Sequence, residues 1–157
     1  MRRFDQSLPM ALLAARESIM AFFRPHLNEL GLTEQQWRVI RVLREHDELE
    51  FHELASIAKL LPPSLSGMLT RLERLRLIKR RKRSSDQRRL HIALSPEGVA
   101  RFDVASRQME RIYRDIEQRF GKRRLASLFS LLHSARALQP DQPAQPTQRR
   151  KNREQTR

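Results

Sequence analysis

The first apolar pattern along the chain lies between residues 8 and 30 and has the period of a helix. Apolar residues recur there at spacings of three and four, which places them on one helical face. They are Leu8, Leu12, Ala15, Ile19, Phe22, Phe23, Leu27 and Leu30. Pro25 falls inside this segment. Because proline removes a backbone hydrogen bond, we expect a kink or a restart of the helix there.

A second helix is predicted over about 34–45. Thr33 and Gln36 have the spacing of a capping box, in which each side chain bonds the backbone N–H of the other residue. Trp37, Ile40 and Leu43 follow at helical spacing and are expected to face inward.

The next two segments predict a helix-turn-helix. A short amphipathic stretch covers residues 50–59, and the sequence Leu-Pro-Pro-Ser follows at 61–64. Proline is favoured at the first position of a helix, so a new helix is expected from Ser64 to Leu75. Two short helices joined by a tight turn define this motif.

Residues 77–94 change to the alternating period of strands. Ile78, Arg80 and Lys82 alternate with basic residues, and Leu90 and Ile92 begin a second alternating run. The pattern predicts a β-hairpin. Its tip contains no Asn-Gly or Asp-Gly pair, so we expect a longer, mobile loop there.

Two more helices are predicted after the hairpin, over 96 to about 120 and 122–138. The whole order predicts a mainly α fold, a winged helix-turn-helix over 33–95 within a single domain, 1–138. The helices at 8–30 and 96–138 exceed what one winged helix needs, and a second copy of the chain would cover their apolar faces. Residues 139–157 are rich in proline, glutamine and basic residues and are expected to form a disordered basic tail.

Composition points to a polyanionic partner. The 157-residue chain carries a net charge of +14, which favours nucleic acid. It has no cysteine, which excludes disulfides and thiolate sites, and its four glycines exclude a glycine-rich nucleotide loop. We expect a cytoplasmic protein without a signal peptide, membrane span, cofactor or metal site. No nucleophile–base arrangement stands out, so we expect no enzyme.

The basic residues concentrate on the second helix of the motif and on the hairpin. Between residues 71 and 89, ten lysines and arginines are opposed only by Glu73 and Asp86. The outward stripe of the helix combines small polar residues, which allow close approach to DNA, with arginines that read guanine or bind phosphate. The predicted contacts are Ser64, Ser66, Gly67, Thr70, Arg71 and Arg74. Ser64 is equally well explained as a residue that only starts the helix.

The hairpin supplies the second group of predicted DNA contacts. Arg80, Lys82 and Arg89 are expected to bind phosphates, and Arg88 is expected to enter a minor groove. Asp86 alone would repel DNA, but it makes sense as a carboxylate that holds a neighbouring arginine.

Several short motifs together resemble the MarR family of winged-helix regulators, over about residues 8–138. The motifs are Thr33-x-x-Gln36-Trp37-x-Val39, Glu53-Leu54-Ala55, Arg71-Leu72-Glu73, Asp86-x-Arg88 and Leu94-Ser95-Pro96-Glu97-Gly98. The resemblance implies a homodimer, assembled from the terminal helices, that binds a palindromic operator in double-stranded DNA. It also implies release by small phenolic or carboxylic ligands. Residues 8–17, 23–25 and 31–39 are similar to members that repress aromatic-acid catabolic operons.

One position departs from the family pattern. Members often have glycine after the recognition helix, where this chain has Arg76. A positive φ at Arg76 would cost on the order of 1–3 kcal/mol, unless the helix end is remodelled.

Arg16 is the candidate anchor for such a ligand. It lies in an apolar helix, and a buried guanidinium is costly unless it is paired. The carboxylate of an aromatic acid would pair with Arg16, while its ring packs against Trp37 or Phe23. Members of the family similarly bind aromatic acids. The alternatives are an ion pair of Arg16 within the protein, for instance with Glu17 of the partner subunit, and a purely structural Trp37.

Two other functions fit the basic charge. One is a ligand-independent, sequence-tolerant DNA-binding protein of the nucleoid type. The other is a protein that binds RNA or an acidic partner. RNA binding is disfavoured because residues 71–89 contain no aromatic side chain on which bases could stack.

Overall fold

A computed structural model describes residues 3–83 and 86–138, with side chains undescribed at Asp5 and at 82–89. The described residues up to Arg119 form one compact unit, and those from Phe120 onward form a second. The elements in chain order are a 3-10 helix (Phe4–Gln6), α1 (Leu8–Glu29), α2 (Glu34–His46), β1 (Glu48–Glu50), α3 (Phe51–Ala58), α4 (Pro62–Arg74), β2 (Ile78–Arg83), β3 (Asp86–Leu94), α5 (Pro96–Phe120) and α6 (Lys122–Arg136). This is the mainly α winged helix that the sequence predicts.

The first helix contains Pro25, at which a kink or a restart was expected. α1 continues through this proline as one helix, which excludes the restart, and the kink stays a prediction. Only the second half of its apolar face is buried, at Phe23 and Leu27, while Leu8 and Leu12 are exposed. The tertiary contacts of this buried half hold the helix on both sides of the missing hydrogen bond.

The capping box at the start of α2 forms as predicted. The Gln36 backbone N–H donates to Thr33 Oγ1 at 3.2 Å, and the Thr33 N–H donates to Gln36 Oε1 at 2.9 Å. These bonds satisfy two N–H groups that the first turn of a helix leaves free. They also explain why Gln36 is buried in spite of its polar side chain.

The strands β2 and β3 form the wing of the winged helix. β1 joins them in a three-stranded antiparallel sheet with the order β1-β3-β2. β1 pairs with β3 through Glu48 and Ala93, and this strand was not predicted. β2 and β3 pair as far as Arg83 and Asp86, with a register shift after Lys82. The tip between the strands, residues 84 and 85, lies outside the described residues, so the longer, mobile loop stays a prediction.

One hydrophobic core is shared by the helices α1 through α5 and the sheet of the first unit. Its fully buried side chains come mainly from the helix-turn-helix and the sheet: Leu27, Ile40, Leu43, Leu54, Leu65, Leu69, Leu72, Leu77, Ile92 and Val39. α5 adds Ala105 and Met109. The core thus fixes the orientation of α4 and the wing.

The helix α6 belongs to the second unit and buries none of its residues. Phe129 and Leu131 are exposed apolar side chains on it. The predicted basic tail, 139–157, lies outside the described residues.

Candidate DNA interface and effector cavity

The helix α4 has one buried face and one exposed face. Leu65, Leu69 and Leu72 are buried, since they recur at helical spacing and pack into the core. The structure leaves all six predicted contacts of this helix exposed, namely Ser64, Ser66, Gly67, Thr70, Arg71 and Arg74. These exposed polar and basic side chains are of the types that contact bases and phosphates in a major groove.

Ser64 does not cap this helix. The N-cap is Leu61, which makes no side-chain capping bond, and α4 already begins at Pro62. Ser64 lies in the exposed first turn, where the helix dipole favours an anion such as phosphate. Ser64 therefore still belongs to the start of the helix, and both explanations of it stay open.

Arg80 ties the wing to α4. Its Nε lies 3.1 Å from Glu73 Oε2, and its Nη2 lies 3.4 Å from Thr70 Oγ1. Arg80 is a predicted phosphate contact, whereas Glu73 has no predicted role. The structure places this carboxylate beside two of the predicted DNA contacts.

The other predicted wing contacts have no described side chains. The backbones of Lys82, Asp86, Arg88 and Arg89 lie in β2 and β3. Their contacts fall outside the described residues, so these four assignments stay predictions.

Arg76, which stands where the family often has glycine, has a positive φ of 58°. The Leu77 N–H donates to Leu72 O at 3.0 Å, and the Arg76 N–H donates to Glu73 O at 2.8 Å. This pair of bonds is a Schellman motif, which ends α4 and starts the wing. The hydroxyl of Ser95 donates to Arg76 O at 2.5 Å and holds the turn from the other side.

The three predicted effector residues line one cavity of about 360 Å³. Arg16 and Phe23 come from α1, and Trp37 comes from α2. The remaining lining residues are Met20, Glu34, Arg38, Arg41, Val42, Glu45, Ile57 and Tyr113. Three arginines and two glutamates give the lining a net charge of +1, which suits a single carboxylate.

Aromatic side chains form one side of the cavity. Trp37 is buried and stacks on Phe102, with ring centroids 5.3 Å apart and planes at 15°. Phe23 meets Tyr113 edge to face, with centroids 5.0 Å apart. Trp37 is thus a core residue that also lines the cavity, and its contact with a ligand stays a prediction.

Arg16 is neither buried nor unpaired, contrary to the expectation from the sequence. Its side chain is 43% exposed and is already paired, so the premise of a buried guanidinium in need of a ligand is wrong. Nη1 donates to Glu17 Oε1 at 2.6 Å, and Nη2 donates to Glu34 Oε2 at 2.5 Å. The alternative of an ion pair within the protein therefore holds, with Glu17 and Glu34 of the same chain.

Arg24 completes a ring of four charges. Its Nε donates to Glu34 Oε1 at 2.5 Å, and its Nη2 donates to Glu17 Oε2. The bond that Arg24 donates to Glu17 and, second, the bond that it donates to Glu34 raise the pKa of Arg24. Partial burial raises the pKa of Glu34, but hydrogen bonds from Arg24 and Arg16 outweigh it, so that the pKa lies below its ordinary value.

Five polar lining residues were not predicted from the sequence, namely Glu34, Arg38, Arg41, Glu45 and Tyr113. Arg41 donates from Nη1 to the Tyr113 hydroxyl at 3.3 Å, and Arg38 donates from Nη1 to Ala58 O at 3.2 Å. Arg41 lies one helical turn after Trp37, which is a signal that periodicity offered. Tyr113 lies on α5, and no local pattern connects it to α2.

The described part of the chain lacks two other kinds of site. None of its helices is long and apolar enough to cross a bilayer. Within residues 3–83 and 86–138, no group of three or more histidine, aspartate or glutamate side chains is placed to hold a metal ion.

The fold and the exposed basic helix define a winged-helix DNA-binding protein. The family model of the MarR family matches residues 32–90. The homoprotocatechuate degradative operon repressor of Escherichia coli is 47% identical over 132 residues, 84% of this chain and 89% of that protein. The chain therefore belongs to the MarR family, whose members are transcriptional regulators.

Solved structures agree with this assignment over most of the chain. The transcriptional regulator PA4135 is 48% identical, with a TM-score of 0.81 over 85% of this chain and 98% of that one. NadR in complex with 4-hydroxyphenylacetate is 38% identical, with a TM-score of 0.75 over 88% and 99% of the two chains.

Proposed function

We propose that the protein is a homodimeric repressor that binds a palindromic operator and is released from it by a small aromatic carboxylate. The observation that carries this proposal is the 360 Å³ cavity with aromatic and arginine walls, built on α2 of the same unit that presents α4. The names of the relatives support it, since one represses a homoprotocatechuate operon and another is solved with 4-hydroxyphenylacetate.

Operator binding rests on the exposed face of α4 and on the wing. Arg71 reads base edges and Arg74 binds phosphate, while Gly67 lets the helix backbone approach the DNA. A Cβ added at Gly67 would meet nothing within 4 Å, so the protein itself does not require glycine there. Two-fold symmetry then predicts half-sites about 10 base pairs apart.

Dimerisation rests on apolar side chains that the single chain leaves exposed. In the first unit these lie on α1, at Leu8, Leu12, Leu13 and Ile19. The second unit exposes Phe129 and Leu131 on α6. A second copy would cover both groups, and sedimentation should give a mass about twice 18.6 kDa. A monomer at micromolar concentration would refute the dimer.

The effector is proposed to be a phenolic acid such as 4-hydroxyphenylacetate. Its ring would lie between Phe23 and Trp37, and its phenol would meet the polar pair of Arg41 and Tyr113. Its carboxylate would face Arg16 or Arg38, and Arg38 makes no ion pair among the described residues. The net charge of +1 on the lining favours such a monocarboxylate over a neutral phenol.

Release would follow from a population shift. The effector must bind more tightly to dimers whose two α4 helices are wrongly spaced for the operator. A difference of about 1–3 kcal/mol between the two states gives a 5–150-fold change in operator affinity.

The first test is fluorescence anisotropy of the dimer on its own upstream promoter DNA, with a scrambled duplex as the control. Binding is measured with and without 4-hydroxyphenylacetate and 3,4-dihydroxyphenylacetate. We expect sequence-dependent binding that one of these acids weakens. Specific binding that ignores both acids would remove the effector, and equal binding to both duplexes would favour a nucleoid-type protein.

A further inference from the structure

The ring of four charges is divided between the cavity and the outside. Arg16 and Glu34 line the cavity, whereas Glu17 and Arg24 do not. Glu34 is also the only one of the four on α2, because the other three lie on α1. Within the ring, both bonds between α1 and α2 therefore run through the Glu34 carboxylate.

We propose that Glu34 is a built-in competitor of the effector: its carboxylate holds the Arg16 guanidinium, and an aromatic acid binds by replacing it there. This inference rests on the proposed function, since it concerns the same cavity. It assigns to Glu34 the role of lowering, and so setting, the affinity for a charged effector.

The ring of four charges allows this exchange without leaving any of its charged groups unpaired. Glu34 uses a separate oxygen for each partner, Oε2 for Arg16 and Oε1 for Arg24. After the exchange Glu34 keeps Arg24, and Arg16 keeps Glu17 as well as the ligand carboxylate. A charge left unpaired in a partly buried site would oppose binding, and here every group retains a partner.

The exchange also reaches the DNA-binding part of the molecule. Glu34 is the first residue of α2 and follows the cap residue Thr33, so its side chain anchors the start of that helix to α1. Replacement at Arg16 removes one of the two ring bonds between these helices. Effector binding thereby loosens α2 relative to α1, and α2 leads directly into β1 and the helix-turn-helix.

Competition of this kind acts only on charged ligands. A carboxylate that approaches Arg16 has to displace Glu34, whereas a neutral analogue gains nothing from doing so. Removal of the Glu34 charge should therefore tighten binding of 4-hydroxyphenylacetate and leave binding of 4-hydroxyphenylacetamide unchanged. The ratio of the affinities for the acid and for the amide is the quantity to compare, because a change in cavity shape affects both ligands alike.

The fluorescence of Trp37 gives a direct readout, because Trp37 is the single tryptophan of the chain and lines the cavity. The experiment titrates both compounds into the full-length wild type, Glu34→Gln and Glu17→Gln. Glu17→Gln is the matched control, since Glu17 also binds Arg16 and Arg24 but lies outside the cavity. Glu34→Asp, which keeps the charge but shortens the side chain, provides a second variant should Glu34→Gln not fold.

We expect Glu34→Gln to bind the acid about tenfold tighter, the factor that corresponds to one charge-assisted hydrogen bond at the lower end of its range. Glu34→Asp should also bind the acid more tightly than the wild type. Glu17→Gln should keep the wild-type ratio of the affinities for the acid and the amide. Unchanged or weaker binding of the acid by the Glu34 variants, with the wild type binding it, overturns the competition alone. Failure of the wild type to bind any aromatic acid overturns the proposed effector and this inference with it.

Discussion

Gly98 touches the backbone of Leu77 closely enough that no side chain fits between them. A Cβ built on Gly98 would lie 2.0 Å from Leu77 O, far inside van der Waals contact. The same carbonyl accepts a hydrogen bond from the Ser95 N–H at 3.0 Å, and the Gly98 N–H donates to Ser95 Oγ at 2.9 Å. The start of α5 is thus packed directly onto the turn that ends α4.

This contact makes Gly98→Ala a severe change. The added methyl group has to push back a backbone carbonyl, which is much harder to move than a side chain. We expect a loss of about 2–4 kcal/mol in the free energy of unfolding. Urea unfolding, with a shifted midpoint and an unchanged slope, measures it. A variant as stable as the wild type would show that α5 and the turn are not in contact.

The helices of this protein were predictable because their signals are local. The capping box of Thr33 and Gln36 and the apolar period of α4 both lie within one or two helical turns, and both elements formed as expected. β1 was missed because Glu48–Glu50 carries no strand pattern of its own. Its extended form comes from pairing with β3, more than 40 residues later in the chain.

The candidate site was only partly predictable for the same reason. The apolar helix around Arg16 and the family resemblance suggested Arg16, Phe23 and Trp37, and these side chains do line one cavity. Spacing does not show what a charged side chain meets in space, so the pairing of Arg16 with Glu34, eighteen residues away, was missed. Tyr113 reaches the cavity from α5, which is a tertiary arrangement without a local signal.

Gly67→Ala should separate folding from DNA binding. Gly67 lies inside α4 in open space, so alanine removes the helix penalty of glycine and stabilises the protein by about 0.5–1 kcal/mol. Operator binding should weaken by roughly 1 kcal/mol or more, because the methyl group enters the helix face that approaches the bases. Thermal unfolding and anisotropy measure the two effects. Unchanged operator affinity would place Gly67 away from the DNA.

Glu73→Gln should strengthen DNA binding. The Glu73 carboxylate lies on the basic surface of α4 and holds Arg80, whose guanidinium would otherwise be available to a phosphate. Removal of this charge should lower the operator Kd by about threefold to tenfold at low salt. Glu110→Gln, an equal change of charge at an exposed position on α5, is the control. An equal gain in operator affinity in Glu73→Gln and Glu110→Gln would mean that only the change in net charge matters.

The pKa of Glu34 predicts a specific acid sensitivity. Since the folded-state pKa is lowered, the ionised carboxylate stabilises the protein above the unfolded-state pKa, and this contribution is lost as pH falls through the folded-state pKa. Wild type should therefore exceed Glu34→Gln in stability at neutral pH, with a difference that shrinks below about pH 4.5. Urea unfolding between pH 3 and pH 7, about the range over which glutamate titrates, tests this. A difference that stays constant with pH would contradict it.

The dependence of operator affinity on salt concentration should report the number of phosphates that the protein contacts. If six or more phosphates are neutralised per dimer, affinity falls by about 10³-fold or more between 50 and 200 mM salt. Arg74→Gln should reduce the slope of log K against log salt by about 0.9 for each phosphate contact that is lost, or roughly 2 per dimer. Arg107→Gln, on the exposed surface of α5, should lower affinity slightly without changing the slope. A salt response as flat as that of a neutral interface would mean that the basic residues of α4 and the wing do not face the DNA, whatever their charge.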